Sequence, residues 1–229
     1  MQKKLLLHYP FISNSLDYSG NDIHGTLHGP TLQNDRFGDL GSYSFNGIDD
    51  YIEIENPHIL SFSNESFSIS LWVKIKDNDN TYKTLFVISN KNLMPRIELM
   101  KARSGYYNSG FYFQIAQSED SRSTAFSLDN GSILEKNVWM HIVGVADYKK
   151  KELSLFMNSK LQETVPLISN FNMPNNINLM ARVGKSTSET IGENQQRHRG
   201  SLDDIRVYSL ALNQKQIDLI YKDEGINDK

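Results

Sequence analysis

The chain has 229 residues, of which 38% are hydrophobic and 22% charged, with a formal net charge of −3 at pH 7 and no cysteine. A chain of this length and composition can bury a substantial core, so a disordered chain is excluded. The absence of cysteine excludes disulfides, thiolate-bound zinc and thiol catalysis. The slightly acidic balance and scattered basic residues argue against a nucleic-acid partner.

The first residues imitate an export signal for only a few positions. Two lysines precede an apolar run at residues 5–7, but His8 and Pro10 end that run and no small-residue cleavage site follows. No stretch approaches the roughly 20 apolar residues that span a bilayer. We therefore predict a first strand at residues 5–11, no signal peptide in this chain and no membrane insertion.

Alternation of apolar and polar residues dominates the rest of the chain. In residues 66–75 the apolar side chains fall on one face, whereas serines, Trp72 and Lys74 fall on the other. Such alternation is typical of strands, and turn signals at intervals of roughly 8–15 residues are typical of a β-sandwich. The other predicted strands are two within residues 42–55 around a turn at Gly47, and residues 84–89, 96–100, 110–117, 123–128, 139–147, 152–157, 177–184 and 201–208.

One helix is predicted, close to the C-terminus. Asn213 is suited to cap it, with Gln216 in the capping-box position three residues later. Ile217, Ile220 and Tyr221 then fall on one apolar stripe, as expected for a helix that packs on a sheet.

Five short segments form an ordered set of signatures. They are residues 16–21 (LDYSGN, followed by HG at 24–25), 43–52 (YSFNGIDDYI), 67–74 (FSISLWVK), 139–144 (WMHIVG) and 200–208 (GSLDDIRVY). Together they resemble the laminin G-like domain of the concanavalin A-like lectin/glucanase superfamily. The resemblance implies an all-β fold, a two-sheet antiparallel jelly-roll sandwich with one short C-terminal helix. Because no linker or repeat interrupts the pattern, we expect a single domain over residues 1–229, with a core at about 4–222.

The resemblance also implies a setting and two local departures. Family members are mostly exported, which implies an extracellular or cell-surface location. The family tends to have Asn-Gly-Lys where residues 158–160 read NSK, so we expect the turn at Ser159 to be strained or of another type. The loop at residues 185–199 is longer than the family minimum and is a candidate for a binding surface particular to this chain.

The acidic loop after the first strand is a candidate calcium site. Asp17 and Asn21 offer oxygens of the kind that calcium prefers. The resemblance implies that the terminal strands lie side by side and that a structural calcium ion is bound at this corner, by Asp17, Asn21, Asp203 and Asp204. Strand alternation places Asp203 on the apolar face, nearer the Asp17 loop, and Asp204 beside Arg206. The alternative is that Asp17 and Asn21 only stabilise their own turn.

A second candidate site is a loop that displays two tyrosines. Residues 103–110 (RSGYYNSG) are rich in small residues, and another tyrosine lies in the turn region at Tyr82. Sugar sites in such sandwiches combine aromatic faces with polar hydrogen-bonding groups, so we expect a glycan or glycoprotein ligand here. The alternative is that these tyrosines pack over the sandwich edge. The candidate ligand-binding residues are Tyr82, Arg103, Tyr106, Tyr107 and Asn108.

Carbohydrate recognition by a non-catalytic module is therefore the favoured function, with a protein-binding adhesion or assembly module as the alternative. A glycoside hydrolase ranks third, because such enzymes need two carboxylates flanking the scissile bond. The Glu-x-Asp-x-Glu arrangement of β-glucanases does not occur, and residues 53–55 (EIE) lack the third acid. Other hydrolase, metalloprotease and phosphate-binding motifs are missing from the sequence, so no catalytic residue is predicted.

Overall fold

A computed structural model describes residues 4–77, 81–102, 110–127, 134–173, 178–188 and 196–222. Its strands form two antiparallel sheets that pack face to face, which confirms the predicted jelly-roll sandwich. A 3₁₀ helix spans Pro57–Leu60, and helix α1 spans Gln214–Tyr221. The strands in the described part of the chain are β1 (Leu5–Tyr9), β2 (Gly25–His28), β3 (Thr31–Asn34), β4 (Leu40–Asn46), β5 (Tyr51–Ile54), β6 (Phe67–Ile75), β7 (Lys83–Asn90), β8 (Arg96–Lys101), β9 (Phe111–Ser118), β10 (Ser121–Phe126), β11 (Trp139–Asp147), β12 (Glu152–Met157), β13 (Lys160–Pro166), β14 (Leu179–Val183) and β15 (Arg199–Tyr208).

The two sheets have different strand orders. The first sheet runs β13-β12-β11-β6-β15-β4-β3, and β1 also pairs with β15. The second sheet runs β10-β9-β8-β7-β14-β5-β2. Strands β2, β3 and β13 were not predicted; they are short or largely exposed strands at the ends of the sheets, so they lack the apolar alternation that marks a half-buried strand.

The core lies between the sheets and draws its apolar side chains from both. Phe67, Ile69 and Leu71 of β6 are fully buried, as the alternation predicted, and each such side chain contributes roughly 1.5–3 kcal/mol. Gly144 of β11 leaves room for Phe113 from the opposite sheet, because a Cβ atom at this glycine would lie 2.5 Å from the Phe113 ring.

The two terminal strands are neighbours, as expected. Strand β1 pairs antiparallel with β15, with His8 opposite Arg206. The predicted alternation along β15 is wrong, however, because the strand contains a bulge between Asp203 and Arg206. Asp204 there has a φ of 47°, a left-handed conformation that aspartate tolerates better than most residues.

The bulge places both aspartates on the same side of the sheet. Leu202 and Ile205 both belong to the core although they are three residues apart, since a bulge inserts one extra residue into the strand. Asp203 therefore does not share the apolar face with Ile205. Both Asp203 and Asp204 lie towards the outer face, beside Arg36.

Helix α1 packs against the outer face of the first sheet and has the predicted capping box. The side chain of Asn213 accepts a hydrogen bond from the Gln216 backbone at 3.0 Å, and the Gln216 side chain accepts one from the Asn213 backbone at 3.0 Å. The ring of Tyr221 stacks on Trp72, with 5.5 Å between centroids. In the part of the chain that is described, no helix combines the length and apolar character required to cross a membrane.

The turn between β12 and β13 keeps the left-handed geometry despite its serine. Asn158 and Ser159 have φ values of 49° and 64°, and the residues on either side of them pair directly. Two side chains of α1 hold the turn: Gln214 donates to the Ser159 carbonyl at 2.7 Å, and Asp218 accepts from the Ser159 hydroxyl. The helix therefore stabilises a turn that serine alone disfavours.

Candidate functional site

A groove of about 490 Å³ lies on the outer face of the second sheet, over β8, β9 and β10. This volume falls within the range of small-ligand sites in proteins. Side chains that alternate with the core residues of these strands form its floor, and two residues from other segments border it. The described residues that line the groove are Tyr82, Arg96, Glu98, Tyr112, Gln114, Arg122, Thr124, Phe126 and Gln196.

The strand register arranges the groove floor in three rows that cross β8, β9 and β10. Residues directly opposite each other on neighbouring strands share a face, so each row presents its side chains together. One row is cationic at both ends, the next is polar and the third is apolar and aromatic. The rows are Arg96, Ala116 and Arg122; Glu98, Gln114 and Thr124; and Met100, Tyr112 and Phe126.

Hydrogen bonds and an ion pair link the polar side chains of the floor. Nε of Arg96 lies 3.2 Å from Oε1 of Glu98, and Nη2 of Arg96 donates to Oε1 of Gln114 at 3.1 Å. Gln114 in turn donates to the Thr124 hydroxyl at 2.6 Å, and the Tyr112 hydroxyl donates to Glu98 at 3.4 Å. The network orients the guanidinium and amide groups before a ligand arrives, which lowers the entropic cost of binding.

Burial sets the ionisation of the two groups at the base of the network. Burial raises the pKa of Glu98, although Arg96 and the Tyr112 hydroxyl oppose the shift. Burial, with the nearby Glu98 charge, also raises the pKa of Tyr112 well above its ordinary value. The Tyr112 hydroxyl therefore stays protonated across the physiological range and serves as a hydrogen-bond donor.

Aromatic rings form one end of the groove. Tyr82 is 36% exposed, and its ring meets that of Tyr112 edge-on with 6.0 Å between centroids. The rings of Tyr112 and Phe126 lie 5.8 Å apart. Such rings offer an apolar face for stacking, and the tyrosine hydroxyls add a polar edge for hydrogen bonds. Tyr82, one of the predicted ligand-binding residues, thus lies at the groove.

The long loop at residues 185–199 supplies part of the groove wall through Gln196. The Thr84 backbone N–H donates to the Gln196 carbonyl at 3.0 Å, and Thr84 forms a parallel bridge with Arg197. The His198 N–H donates to the Gly184 carbonyl at 2.8 Å. These bonds anchor the described end of the loop against β7, beside the groove.

The other predicted ligand-binding residues, Arg103, Tyr106, Tyr107 and Asn108, lie outside the described residues. Sequence analysis missed the groove residues on β8, β9 and β10. Their signal is present as polar and aromatic residues at every second position, for example Tyr112 and Gln114. That signal alone does not tell which strands are neighbours. The site forms only because β8, β9 and β10 pair with one another.

At the predicted calcium corner, Asp17 binds the backbone of its own loop and of β1. One carboxylate oxygen accepts hydrogen bonds from the N–H groups of His8 at 3.0 Å and Ser19 at 2.9 Å. The other accepts from the Ser19 hydroxyl at 2.7 Å and the Ile23 N–H at 3.3 Å. The amide of Asn21 donates to two carbonyls of β1. Both side chains thus hold the loop together and tie it to β1.

Cationic side chains surround the two aspartates of β15. Arg36 forms an ion pair with Asp203 and lies 3.8 Å from Asp204. Asp204 also accepts from Nε of Arg206 at 2.8 Å, which confirms the predicted pairing, and lies 2.9 Å from Nε2 of His8. The Arg36 guanidinium stacks over the Trp72 ring at 4.9 Å.

This corner does not fit a calcium ion. The carboxylate oxygens of Asp17 face protein donors, and those of Asp203 and Asp204 face guanidinium and imidazole groups, whereas calcium needs six to eight free oxygen ligands. His8 lies between Asp17 and Asp204, with its backbone bonded to one and its ring to the other. Within the described ranges, no group of three or more acidic, histidine or cysteine side chains is arranged to hold a metal.

A laminin G-like family model, described as the concanavalin A-like lectin/glucanases superfamily, matches residues 46–218. The match covers well over half of the chain, and the two-sheet sandwich agrees with it. The chain therefore belongs to this family. No curated protein matches its sequence.

Solved structures share the fold over nearly the whole chain. Domain 4 of AbnA, an extracellular GH43 arabinanase from Geobacillus stearothermophilus, in complex with arabinotriose, has a TM-score of 0.69 at 18% identity, covering 94% of this chain and 97% of that one. The binding domain of Paraclostridial Mosquitocidal Protein 1 has a TM-score of 0.72 at 16% identity, covering 96% and 52%. The ligand-binding domain of botulinum neurotoxin serotype D, in complex with N-acetylneuraminic acid, has a TM-score of 0.72 at 17% identity, covering 96% and 51%. The chain thus spans about half the length of these two toxin domains.

Proposed function

We propose that this chain is a non-catalytic carbohydrate-binding module and that the groove over β8, β9 and β10 is its binding site. The observation that carries the proposal is the pairing of an aromatic end with a preorganised polar network in one groove. Tyr82 and Phe126 offer surfaces for stacking, and Arg96 and Gln114 offer hydrogen bonds to sugar hydroxyls. This combination of few fixed polar groups with aromatic walls is typical of small-ligand sites.

The comparisons support the ligand class. The similar arabinanase domain is in complex with arabinotriose, and the similar neurotoxin domain is in complex with N-acetylneuraminic acid. These proteins share the sandwich fold with this chain at low identity. They therefore suggest glycans as a class, whereas the particular sugar has to be inferred from the residues of the groove.

The acidic content of the described groove lining supports a non-catalytic role. Glu98 is the one carboxylate among the described residues that line it. Glycoside hydrolases use a pair of carboxyl groups about 5–9.5 Å apart across the scissile bond. Glu98 is also buried and engaged by Arg96 and Tyr112, an arrangement suited to structure and ligand orientation.

A glycan array followed by calorimetry tests the proposal. We expect Tyr82→Ala to weaken binding of the best glycan about tenfold, the loss expected for one stacking ring. Tyr18→Ala is the matched control, because Tyr18 is an exposed tyrosine, 52% accessible, in the segment after β1. Equal affinity for wild type and Tyr82→Ala, or an array without hits, would contradict the proposal.

The predicted residues Arg103, Tyr106, Tyr107 and Asn108 belong to the proposal as well. Their segment links β8 to β9, which form the groove floor, and the Ala102 N–H donates to the Gly110 carbonyl at 2.8 Å at its base. We expect replacement of both Tyr106 and Tyr107 by alanine to weaken glycan binding, whereas Tyr18→Ala leaves it unchanged. Calorimetry with the same glycan makes the comparison.

A further inference from the structure

We infer that the groove selects acidic glycans, in which one sugar carries a carboxylate or sulfate that binds between Arg96 and Arg122. This inference rests on the proposed carbohydrate-binding function and names the chemistry of its ligand. Three observations carry it: the register of β8, β9 and β10, the unequal pairing of the two arginines, and the position of the one acidic residue among the described lining residues.

The two arginines flank a small residue on the central strand. Arg96 and Arg122 are both direct partners of Ala116, one on each side, so all three share the outer face of the sheet. With strands 4.7–4.9 Å apart, the two arginine Cα atoms are separated by roughly 9.5 Å. Ala116 itself is fully buried, and both arginines line the groove; we call the part of the groove that they border the arginine slot. Guanidinium groups bind planar anions such as carboxylates through paired N–H donors.

The arginines differ in how firmly they are already paired. Glu98 and Gln114 orient the guanidinium of Arg96. Arg122 is 51% exposed and lies 3.4 Å from Glu119, which is itself 70% exposed. Such a surface ion pair contributes little to stability, and Glu119 regains full hydration when it is released. A ligand anion can therefore replace Glu119 as the partner of Arg122 at little cost.

The balance of charge across the groove favours an anion. Among the described lining residues, Arg96 and Arg122 are cationic and Glu98 alone is acidic. Glu98 is 7% exposed, held against Arg96 and Tyr112 in the floor, so it presents little negative charge to an incoming ligand. Like-charged side chains in a concave site concentrate ions of the opposite sign.

The groove also sets where the acidic group sits relative to the stacked ring. Tyr112, in the aromatic row, and Ala116, in the cationic row, are four residues apart on β9, which corresponds to roughly 13 Å along the strand. One sugar ring stacked near Tyr82 does not reach the arginine slot. The ligand expected from this spacing is an oligosaccharide whose acidic residue lies beyond the stacked one.

Calorimetry with matched charged and neutral probes tests the inference. The probes are oligogalacturonate and its fully methyl-esterified form, 3′-sialyllactose and lactose, and 3′-sulfolactose. We expect at least one acidic probe to bind tenfold or more tightly than its neutral counterpart, with affinity falling as salt rises from about 50 to 500 mM. The carboxylated and sulfated arms show which anion is preferred.

Variants separate the slot from general charge effects. We expect Arg122→Gln to remove the preference for the acidic probe, and Arg122→Lys to restore part of it. Lys150→Gln is the matched control, since Lys150 is exposed and weakly paired with Asp147 on the β11–β12 turn, and it should bind like wild type. Equal binding of acidic and neutral probes, or equal losses in Arg122→Gln and Lys150→Gln, overturns the inference. Tyr82-dependent binding of neutral glycans in that case leaves the proposed function standing, whereas no glycan binding on the array overturns both.

Discussion

Two adjacent aspartates of β15 are both buried, yet their surroundings shift their pKa values in opposite directions. Burial raises the pKa of Asp203 to about 7, against the opposing charge of Arg36 and with a contribution from Asp204. Burial would also raise the pKa of Asp204, but the hydrogen bond from His8 and the charges of Arg206 and Arg36 hold it below the ordinary value. The contrast arises because His8 and Arg206 stabilise the charged form of Asp204, whereas burial outweighs the charge of Arg36 at Asp203.

The contrast predicts opposite pH profiles for two isosteric variants. In the unfolded chain both carboxyls titrate near pH 4. Folded Asp203 titrates near pH 7, so the stability it contributes is present below pH 4 and is lost as the pH rises to 7. Relative to wild type, Asp203→Asn should therefore gain stability over that interval. Asp204 contributes stability above pH 4, so the penalty of Asp204→Asn should be largest there and shrink on acidification.

Urea denaturation of the wild type and both variants between about pH 3 and 8 measures these profiles. Asparagine suits position 204, since it also tolerates the left-handed backbone. Parallel profiles for the two variants would show that the aspartates titrate alike and would contradict the pairing described for them.

At the scale of elements, helix α1 stabilises two features of the first sheet. Its stacked Tyr221 covers Trp72, and its polar side chains hold the turn at Ser159, whose φ is 64°. The apolar residues Ile217 and Ile220 are fully buried in the cluster beneath the helix. A helix of eight residues is too short to persist alone, so its capping box and this packing determine whether it forms.

Loss of the cap should therefore be measurable in the whole protein. We expect Asn213→Ala to lower the free energy of unfolding by about 1 kcal/mol, because the Gln216 N–H loses its acceptor. Asn213→Ser, which preserves a capping oxygen, is the control and should remain within about 0.5 kcal/mol of wild type. Chemical denaturation followed by tryptophan fluorescence reports the change, since Tyr221 stacks on Trp72. A loss of equal size in both variants would contradict the capping role.

Across the whole molecule, the first and last strands join the two ends of the chain within the first sheet. Strands β1 and β15 pair directly. His8 adds to this contact, because its backbone binds Asp17 in the first loop and its ring binds Asp204 in the last strand. Protein donors and cationic side chains occupy the positions where calcium was predicted. The contact between the Asp17 loop, β1 and β15 thus consists of hydrogen bonds and ion pairs within the chain.

Thermal melting with EDTA and with added calcium checks this conclusion. We expect the melting temperature of the wild type to be unchanged by either treatment. Asp17→Ala should lower stability by roughly 1–3 kcal/mol with and without calcium, because buried backbone donors lose their acceptor. A calcium-dependent rise in melting temperature that disappears in Asp17→Ala would instead support the calcium site predicted from the sequence.

Local patterns in the sequence were enough to predict the sandwich class, most of the strands and the capped helix. These features depend on local patterns: alternation in β6, capping residues at Asn213 and the ordered family segments. The pairing of Asp204 with Arg206 could also be predicted locally, because the two residues are only two positions apart.

The groove and the environment of the two aspartates depend on long-range contacts that local patterns do not specify. Arg36 lies 167 residues before Asp203 in the chain, and a single bulged residue reversed the predicted face of that aspartate. The groove rows, with Arg96 and Arg122 on either side of Ala116, exist because strand order and register bring three separate strands together. Local alternation specifies which side chains face away from the core, whereas long-range strand pairing specifies which of these side chains become neighbours.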